Sequence, residues 1–126
     1  MPTSLEAGIE FDDVTFTYPG GTEPAVSNLN LHIRGGELIA LVGENGAGKS
    51  TLVKLLLRFY DPTGGAVRVG GADLRELDPD ALRSRIGVLF QDYASYELSV
   101  RENVQMGRPG RLDDDSRVLA SLQDAK

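Results

Sequence analysis

The stretch Leu38-Ile39-Ala40-Leu41-Val42-Gly43-Glu44-Asn45-Gly46-Ala47-Gly48-Lys49-Ser50-Thr51 decides the fold. Its second part fits G-x-x-x-x-G-K-[ST], the phosphate-binding P-loop. The apolar run 38–42 has the length of a buried strand, and Thr51–Leu57 consists mostly of good helix formers. A strand that leads into a glycine loop that opens a helix is the context in which this pattern forms a phosphate site. The sequence therefore predicts an α/β fold with a P-loop NTPase core.

The chemistry of the loop follows from its residue types. Its glycines allow the backbone to wrap around a phosphate, because one or more of them can adopt a positive φ. Successive backbone N–H groups and the helix N-terminus then face the anion. Lys49 can reach the terminal phosphates, and the Ser50 hydroxyl can bind Mg²⁺. The alternative is a glycine-rich turn, but a turn requires neither three glycines nor a lysine at its tightest point.

Composition narrows the function classes. The chain has 126 residues, enough for one small domain, with 40% hydrophobic and 25% charged residues. It has no cysteine, which excludes disulfides, zinc–thiolate sites and iron–sulfur clusters. No run approaches the roughly 20 apolar residues of a membrane span, and residues 1–8 do not resemble a secretory signal. The net charge of −6 argues against nucleic-acid binding.

The residues before the P-loop predict an antiparallel β layer. Apolar and polar residues alternate loosely over Ile9–Tyr18, with a break near Asp12-Asp13, and strictly over Leu29–Ile33. Pro19-Gly20-Gly21 marks a turn between these two strands. Residues 34–37 then turn the chain into the buried strand before the P-loop.

A second buried strand is expected after the P-loop helix. Asp61–Gly65 ends that helix, and Ala66–Val69 reads as a short strand. Asp78 is the predicted N-cap of a short helix that runs to about Arg85, with Pro79 at its first position. The continuous apolar run 86–90 then predicts a buried, parallel strand. Gln91 follows its carboxyl end, where ligands of open α/β sheets collect.

The sequence pattern of the last third of the chain predicts two helices joined by a linker. Val100–Val104 is the first, Gly107–Gly110 the linker, and the second opens at Asp113-Asp114-Asp115. The three acids could suggest a metal site, but acids that complement a helix dipole are the favoured interpretation. His32 is interpreted as a solvated strand residue.

These pieces in this order resemble the nucleotide-binding domain of an ATP-binding cassette (ABC) transporter, from about Ile9 to the end. Phe16-Thr17-Tyr18-Pro19 resembles the A-loop, whose aromatic residue stacks on adenine, and Gln91 matches the Q-loop glutamine. Leu98–Val104 resembles the corresponding stretch of exporter-type cassettes. Within this resemblance the nucleotide-binding residues are Tyr18, Gly43, Glu44, Asn45, Gly46, Ala47, Gly48, Lys49, Ser50, Thr51 and Gln91. Ser50 and Gln91 are the implied Mg²⁺ ligands.

The sequence also departs from the family pattern. It contains no motif resembling LSGGQ, no Walker B strand that ends in Asp-Glu, no D-loop and no switch histidine, since His32 precedes the P-loop. We therefore expect 1–126 to be the N-terminal part of a cassette, from a cut segment or an incomplete reading frame. Residues 1–8 would be a flexible lead-in and about 93–126 the start of the helical subdomain. Such a chain is expected to be marginally folded and to bind ATP weakly without turnover.

The resemblance implies a parent protein that couples ATP hydrolysis to transmembrane transport at the cytoplasmic face of the cell membrane. The implied cofactors are ATP and Mg²⁺, and the implied partners are a transmembrane domain and a second nucleotide-binding domain. Tyr93 and Tyr96 lie in the region that would face the membrane partner. Two alternatives stay open: a soluble cassette ATPase of DNA repair or translation, and a non-functional remnant. The sequence does not encode the transported substrate, and the direction of transport rests on the Leu98–Val104 resemblance alone.

Overall fold

The computed structural model describes residues 6–44, 48–90, 97–107 and 115–125. They fall into two compact units, residues 1–86 and 87–126. The first unit contains the β layer and the helix that begins at Lys49, and the second contains two short helices.

Four antiparallel strands form one sheet in the first unit. They are β1 (Ile9–Phe16), β2 (Val26–Ile33), β3 (Gly64–Val69) and β4 (Ala72–Asp73), in the spatial order β2-β1-β3-β4. The predicted antiparallel β layer is confirmed, and the turn at 19–21 closes with a hydrogen bond from Gly21 N–H to the Tyr18 carbonyl.

The break predicted at Asp12-Asp13 is a β-bulge. The register of β1 shifts there against both β2 and β3, and Asp13 adopts a positive φ of 48°. Gly65 on β3 lies opposite with φ 73°, and a Cβ at this position would lie 2.3 Å from the carbonyl oxygens of Asp12 and Asp13. The bulge therefore needs glycine at position 65. β1 ends at Phe16, so Tyr18 lies just beyond the strand rather than within it.

The helices of the first unit begin where the sequence signals lie. Helix α1 spans Lys49–Leu56, directly after the P-loop glycines. Helix α2 spans Pro79–Arg83, and its N-cap Asp78 accepts a hydrogen bond from the Ala81 N–H at 3.0 Å. The predicted end of α2 at about Arg85 is two residues too late. A short 3₁₀ helix, Leu74–Glu76, precedes α2.

One apolar core lies between the sheet and these helices. α1 contributes Leu55 and α2 contributes Leu82, which are both 1% exposed. The strands contribute the inward-facing side chains of β1 and β3, in the alternation expected for a sheet with one covered face. The buried cluster consists of Phe11, Val14, Phe16, Leu55, Val67, Val69, Leu74, Leu77 and Leu82.

The prediction of buried strands at 38–42 and 86–90 is wrong. Neither run forms a strand, and the side chains of Leu38, Val42 and Leu89 are 98%, 95% and 84% exposed. The physical reason is pairing. A strand forms only when its N–H and C=O groups bond to a neighbour, and none of the described strands pairs with either run.

The second unit contains α3 (Val100–Gln105) and α4 (Asp115–Asp124), which contact each other. Ser99 caps α3 in a capping box with Glu102, and an ion pair joins Arg101 to Asp115. The predicted helix at 100–104 is confirmed. Among the described residues no helix is long and apolar enough to cross a bilayer, and no cluster of acids and histidines could hold a metal ion.

Candidate nucleotide-binding site

Gly48 fixes the junction between the P-loop and α1. It is the N-cap residue and adopts the left-handed conformation, with φ 87° and ψ 1°. A Cβ at this position would lie 2.8 Å from the Ala25 carbonyl oxygen and 3.3 Å from a methyl group of Val26. Both the conformation and the close approach of the chain before β2 therefore require glycine. The prediction that a P-loop glycine takes a positive φ is confirmed at this position.

The side chain of Lys49 folds back over the loop. Its ammonium group donates hydrogen bonds to the backbone carbonyls of Gly43 and Glu44, the second at 3.0 Å. The Glu44 side chain is exposed. The cation is thus bound to carbonyl groups that it can exchange for an anion.

The first turn of α1 has no side-chain cap among the described residues. No acidic residue lies in that turn. An uncapped helix N-terminus carries partial positive charge and unpaired N–H donors, which are the features that bind a phosphate. Ser50 is exposed in this turn, where its hydroxyl is accessible to Mg²⁺. A bound metal and its phosphates fit this donor set, because Mg²⁺ is commonly held by one such hydroxyl and by phosphate oxygens.

Thr51, unlike Ser50, is buried. It is 5% exposed, and its hydroxyl lies 2.9 Å from the hydroxyl of Tyr18. Tyr18, the residue expected to stack on adenine, is thereby joined to the helix that follows the P-loop. The structure thus brings the predicted adenine residue into contact with Thr51, one of the predicted nucleotide-binding residues.

The C-terminal end of α1 is also anchored. The Arg83 guanidinium donates hydrogen bonds to the carbonyls of Leu57 and Arg58, both at 2.9 Å. The Arg58 side chain in turn donates to the Leu77 carbonyl at 2.8 Å. Arg83 thus satisfies carbonyls that the end of α1 leaves unpaired, and it anchors that end of the helix.

Several predicted residues lie outside the described part of the chain. These are Asn45, Gly46 and Ala47 of the P-loop, Gln91, and the two tyrosines Tyr93 and Tyr96.

Sequence reasoning missed two residues near Tyr18. The Lys54 ammonium lies over the Tyr18 ring, 5.4 Å from its centroid, and the Tyr60 ring lies 5.4 Å from it, centroid to centroid. A signal for Lys54 was present, because it is three residues after Thr51 and thus on the same side of α1. No sequence signal indicated Tyr60, since its position depends on how the chain returns after α1.

The comparison with protein families decides the identity. A family model described as "ABC transporter" matches residues 26–126. This chain belongs to the ABC transporter family. The match confirms the predicted α/β class with a P-loop NTPase core, although the two strands expected beside the P-loop are not formed.

Individual ABC relatives agree with the family match. A β-(1→2)glucan export ATP-binding/permease protein of Nitrobacter winogradskyi is 44% identical over 124 residues, which cover 98% of this chain and 20% of that protein. A multidrug efflux ATP-binding/permease protein of Mycobacterium bovis is 44% identical over 110 residues, 87% of this chain and 9% of that protein. The chain thus spans about a fifth, or less, of the length of these relatives.

A solved structure gives the same result in three dimensions. It is described as a bacterial Atm1-family ABC exporter with ATP bound, and it superposes with a TM-score of 0.77 at 31% identity. The superposition covers 85% of this chain and 19% of that one.

Proposed function

We propose that this chain is the ATP-binding part of an ABC exporter, in which the P-loop holds the triphosphate of ATP and Tyr18 stacks on its adenine. The observation that carries the proposal is the junction at Gly48, where a left-handed glycine opens an uncapped helix and Lys49 returns to the loop carbonyls. The names of the relatives, which describe export and efflux, favour transport over DNA repair or translation.

Each part of the loop has a role in this proposal. The backbone N–H groups of residues 43–51 surround the phosphates, and Lys49 exchanges the carbonyls of Gly43 and Glu44 for phosphate oxygens. Mg²⁺ supplies a positive charge that neutralises the phosphates, with Ser50 and Gln91 as its protein ligands. Most of the binding free energy comes from these charge-assisted contacts rather than from the base.

The remaining functional features belong to the whole transporter. We propose that the chain works at the cytoplasmic face of a membrane, against a transmembrane domain and a second nucleotide-binding domain. In domain terms, residues 1–126 would supply part of one ATP-binding domain, with the start of its helical subdomain at about 93–126. Gly8, the last residue of the expected lead-in, is buried, and its carbonyl accepts a hydrogen bond from Gly70 N–H at 2.8 Å.

The direct test is a thermal shift with ATP and Mg²⁺. At about 100 times its Kd, a ligand stabilises the native state by about 2.7 kcal/mol, because it binds the folded chain and not the unfolded one. Lys49→Ala should remove most of this shift, since it removes the cation that faces the phosphates. Lys126→Ala, which deletes the same charge at the last residue, is the matched control and should keep the full shift. An equal shift in Lys49→Ala and wild type would refute the proposal.

We further propose that these 126 residues bind ATP without appreciable turnover. Their sequence lacks the paired acids that would hold Mg²⁺ and orient the attacking water. Phosphoryl transfer depends on positioning and on charge stabilisation, so a phosphate cradle alone supplies too little of either. A phosphate-release assay should give the same rate for wild type and Lys49→Ala. A rate that is well above background and sensitive to Lys49 would contradict this.

A further inference from the structure

Three aromatic rings form a cluster, which we call the Tyr18 cluster, between the end of β1 and α1. Phe16 and Tyr18 lie 4.9 Å apart at 74°, and Tyr18 and Tyr60 lie 5.4 Å apart at 84°. Phe16 and Tyr60 lie 5.3 Å apart at 44°, so each ring contacts the other two. The two edge-on contacts of Tyr18 are favourable and specify a geometry, so they restrict the orientation of its ring.

Two side chains of α1 complete this restraint. The Thr51 hydroxyl lies 2.9 Å from the Tyr18 hydroxyl, and the Lys54 ammonium lies 5.4 Å from the centroid of the Tyr18 ring. Thr51 and Lys54 are three residues apart and so lie on one side of the helix. The first fixes the far end of the tyrosine, and the second lies over its ring.

The hydrogen bond supplies a partner for the buried hydroxyl of Thr51. Thr51 is 5% exposed, so its hydroxyl has little access to water, and a buried hydroxyl without a partner is costly. Thr51 also follows Lys49 and Ser50 directly in the chain. The orientation of the Tyr18 ring is therefore tied to the first turn of the helix that holds the phosphate-binding residues.

We propose that Thr51 and Lys54 are positioning residues for the purine base of the bound nucleotide, and that they act through Tyr18. They hold the ring at a fixed place relative to the phosphate-binding turn of α1, so that base and triphosphate are bound in one preorganised geometry. The inference rests on the proposed function, because it assumes that a nucleoside triphosphate occupies the P-loop. Preorganisation lowers the entropic cost of ordering Tyr18 when the base arrives.

The test separates the base from the phosphates by comparing ATP with inorganic tripolyphosphate, each with Mg²⁺. Tyr18→Phe keeps the ring and deletes only the hydroxyl that contacts Thr51. We expect the Kd for ATP to rise about 2- to 10-fold, the range that one neutral hydrogen bond contributes, while the Kd for tripolyphosphate stays the same. Tyr60→Phe, which removes the same atom from the neighbouring ring, is the matched control and should change neither Kd.

Substitutions on α1 test the same link from the other side. Thr51→Val should raise the ratio of the Kd for ATP to the Kd for tripolyphosphate, as Tyr18→Phe does. Thr51→Ser, which keeps a hydroxyl, should have the wild-type ratio. The effects of Tyr18→Phe and Thr51→Val on this ratio should not add, because each alone breaks the same hydrogen bond. Lys54→Met should raise the ratio by a smaller factor, and Lys54→Arg should preserve it.

The outcomes distinguish the inference from the proposed function. Wild-type chain that binds neither ATP nor tripolyphosphate would refute the proposed function itself. The positioning role would be overturned, with the phosphate site intact, if the wild-type chain binds both ATP and tripolyphosphate but Tyr18→Phe weakens the binding of the two ligands equally, or of neither. Additive effects on the Kd ratio at positions 18 and 51, or tighter ATP binding in Lys54→Met, would also overturn it.

Discussion

The first compact unit contains two contrasting regions: the antiparallel β layer packed on α1, and the apolar run 38–42. They differ in whether their backbone groups form hydrogen bonds with a neighbouring strand. β1 bonds to β2 on one side and to β3 on the other, and its inward side chains meet α1 and α2. Residues 38–42 are at least as apolar, but they pair with no strand among the described residues, and Leu38 is 98% exposed. Apolar composition thus becomes a buried strand only where a neighbour accepts its hydrogen bonds.

The largest expected effect comes from matched leucine substitutions in the two regions. Leu55→Ala should lower the free energy of unfolding by about 2–5 kcal/mol, because it removes a fully buried side chain and leaves a cavity. Leu38→Ala, the same change at an exposed position, should alter it by less than about 0.5 kcal/mol. Urea unfolding of both variants measures the difference. If both variants lost a similar free energy of unfolding, residues 38–42 would be packed in solution, and the two regions would not differ in burial.

A smaller effect is expected at Gly48, where the β layer meets the P-loop. Gly48→Ala forces a left-handed alanine, at a cost of about 1–2 kcal/mol, and adds a Cβ 2.8 Å from the Ala25 carbonyl oxygen. Gly36→Ala is the matched control, because Gly36 has a similar φ of 77° and no atom within 4 Å of a built Cβ. Unfolding midpoints should therefore fall further for Gly48→Ala than for Gly36→Ala. Equal decreases would show that the approach of residue 25 to the loop is not maintained in solution.

The smallest effect concerns a local feature that needs no strand partner. The Ser99 hydroxyl and N–H both donate to the Glu102 carboxylate and hold the pKa of Glu102 below its ordinary value of 4.5. Because the folded-state pKa is lowered, the stabilisation is present above the unfolded pKa and disappears as the pH falls through the folded pKa. Ser99→Ala should raise the pKa of Glu102 in an NMR titration, whereas Ser99→Thr should keep it low. An unchanged pKa in Ser99→Ala would show that the capping box does not form in solution.

The fold could be predicted from sequence where the signals are local. Asp78 and Pro79 begin α2, Gly20 marks a turn, and the P-loop glycines precede α1 as expected. Each of these signals acts through the backbone of a few neighbouring residues, so it does not depend on the rest of the chain. The predicted ends of these elements were less accurate, since β1 ends at Phe16 rather than at Tyr18 and α2 ends at Arg83 rather than at about Arg85.

The site divides in the same way. Gly48, Lys49, Ser50 and Thr51 follow from one motif, because its spacing fixes both the turn and the helix. The contact between the Tyr18 and Thr51 hydroxyls joins residues 33 positions apart, and Lys54 and Tyr60 also contact Tyr18 from distant positions in the sequence. No local pattern encodes such a contact, because it arises from the packing of α1 against the end of β1.

By itself, the sequence determined the left-handed glycine at position 48, the helix that follows it and the alternation of the β layer, because backbone conformation and side-chain periodicity are properties of consecutive residues. Only the tertiary structure decided that the runs 38–42 and 86–90 are not strands and that Tyr18 is bound to α1. Strand pairing and side-chain contact both need a second segment at the right distance, and which segment arrives there is settled by how the whole unit packs.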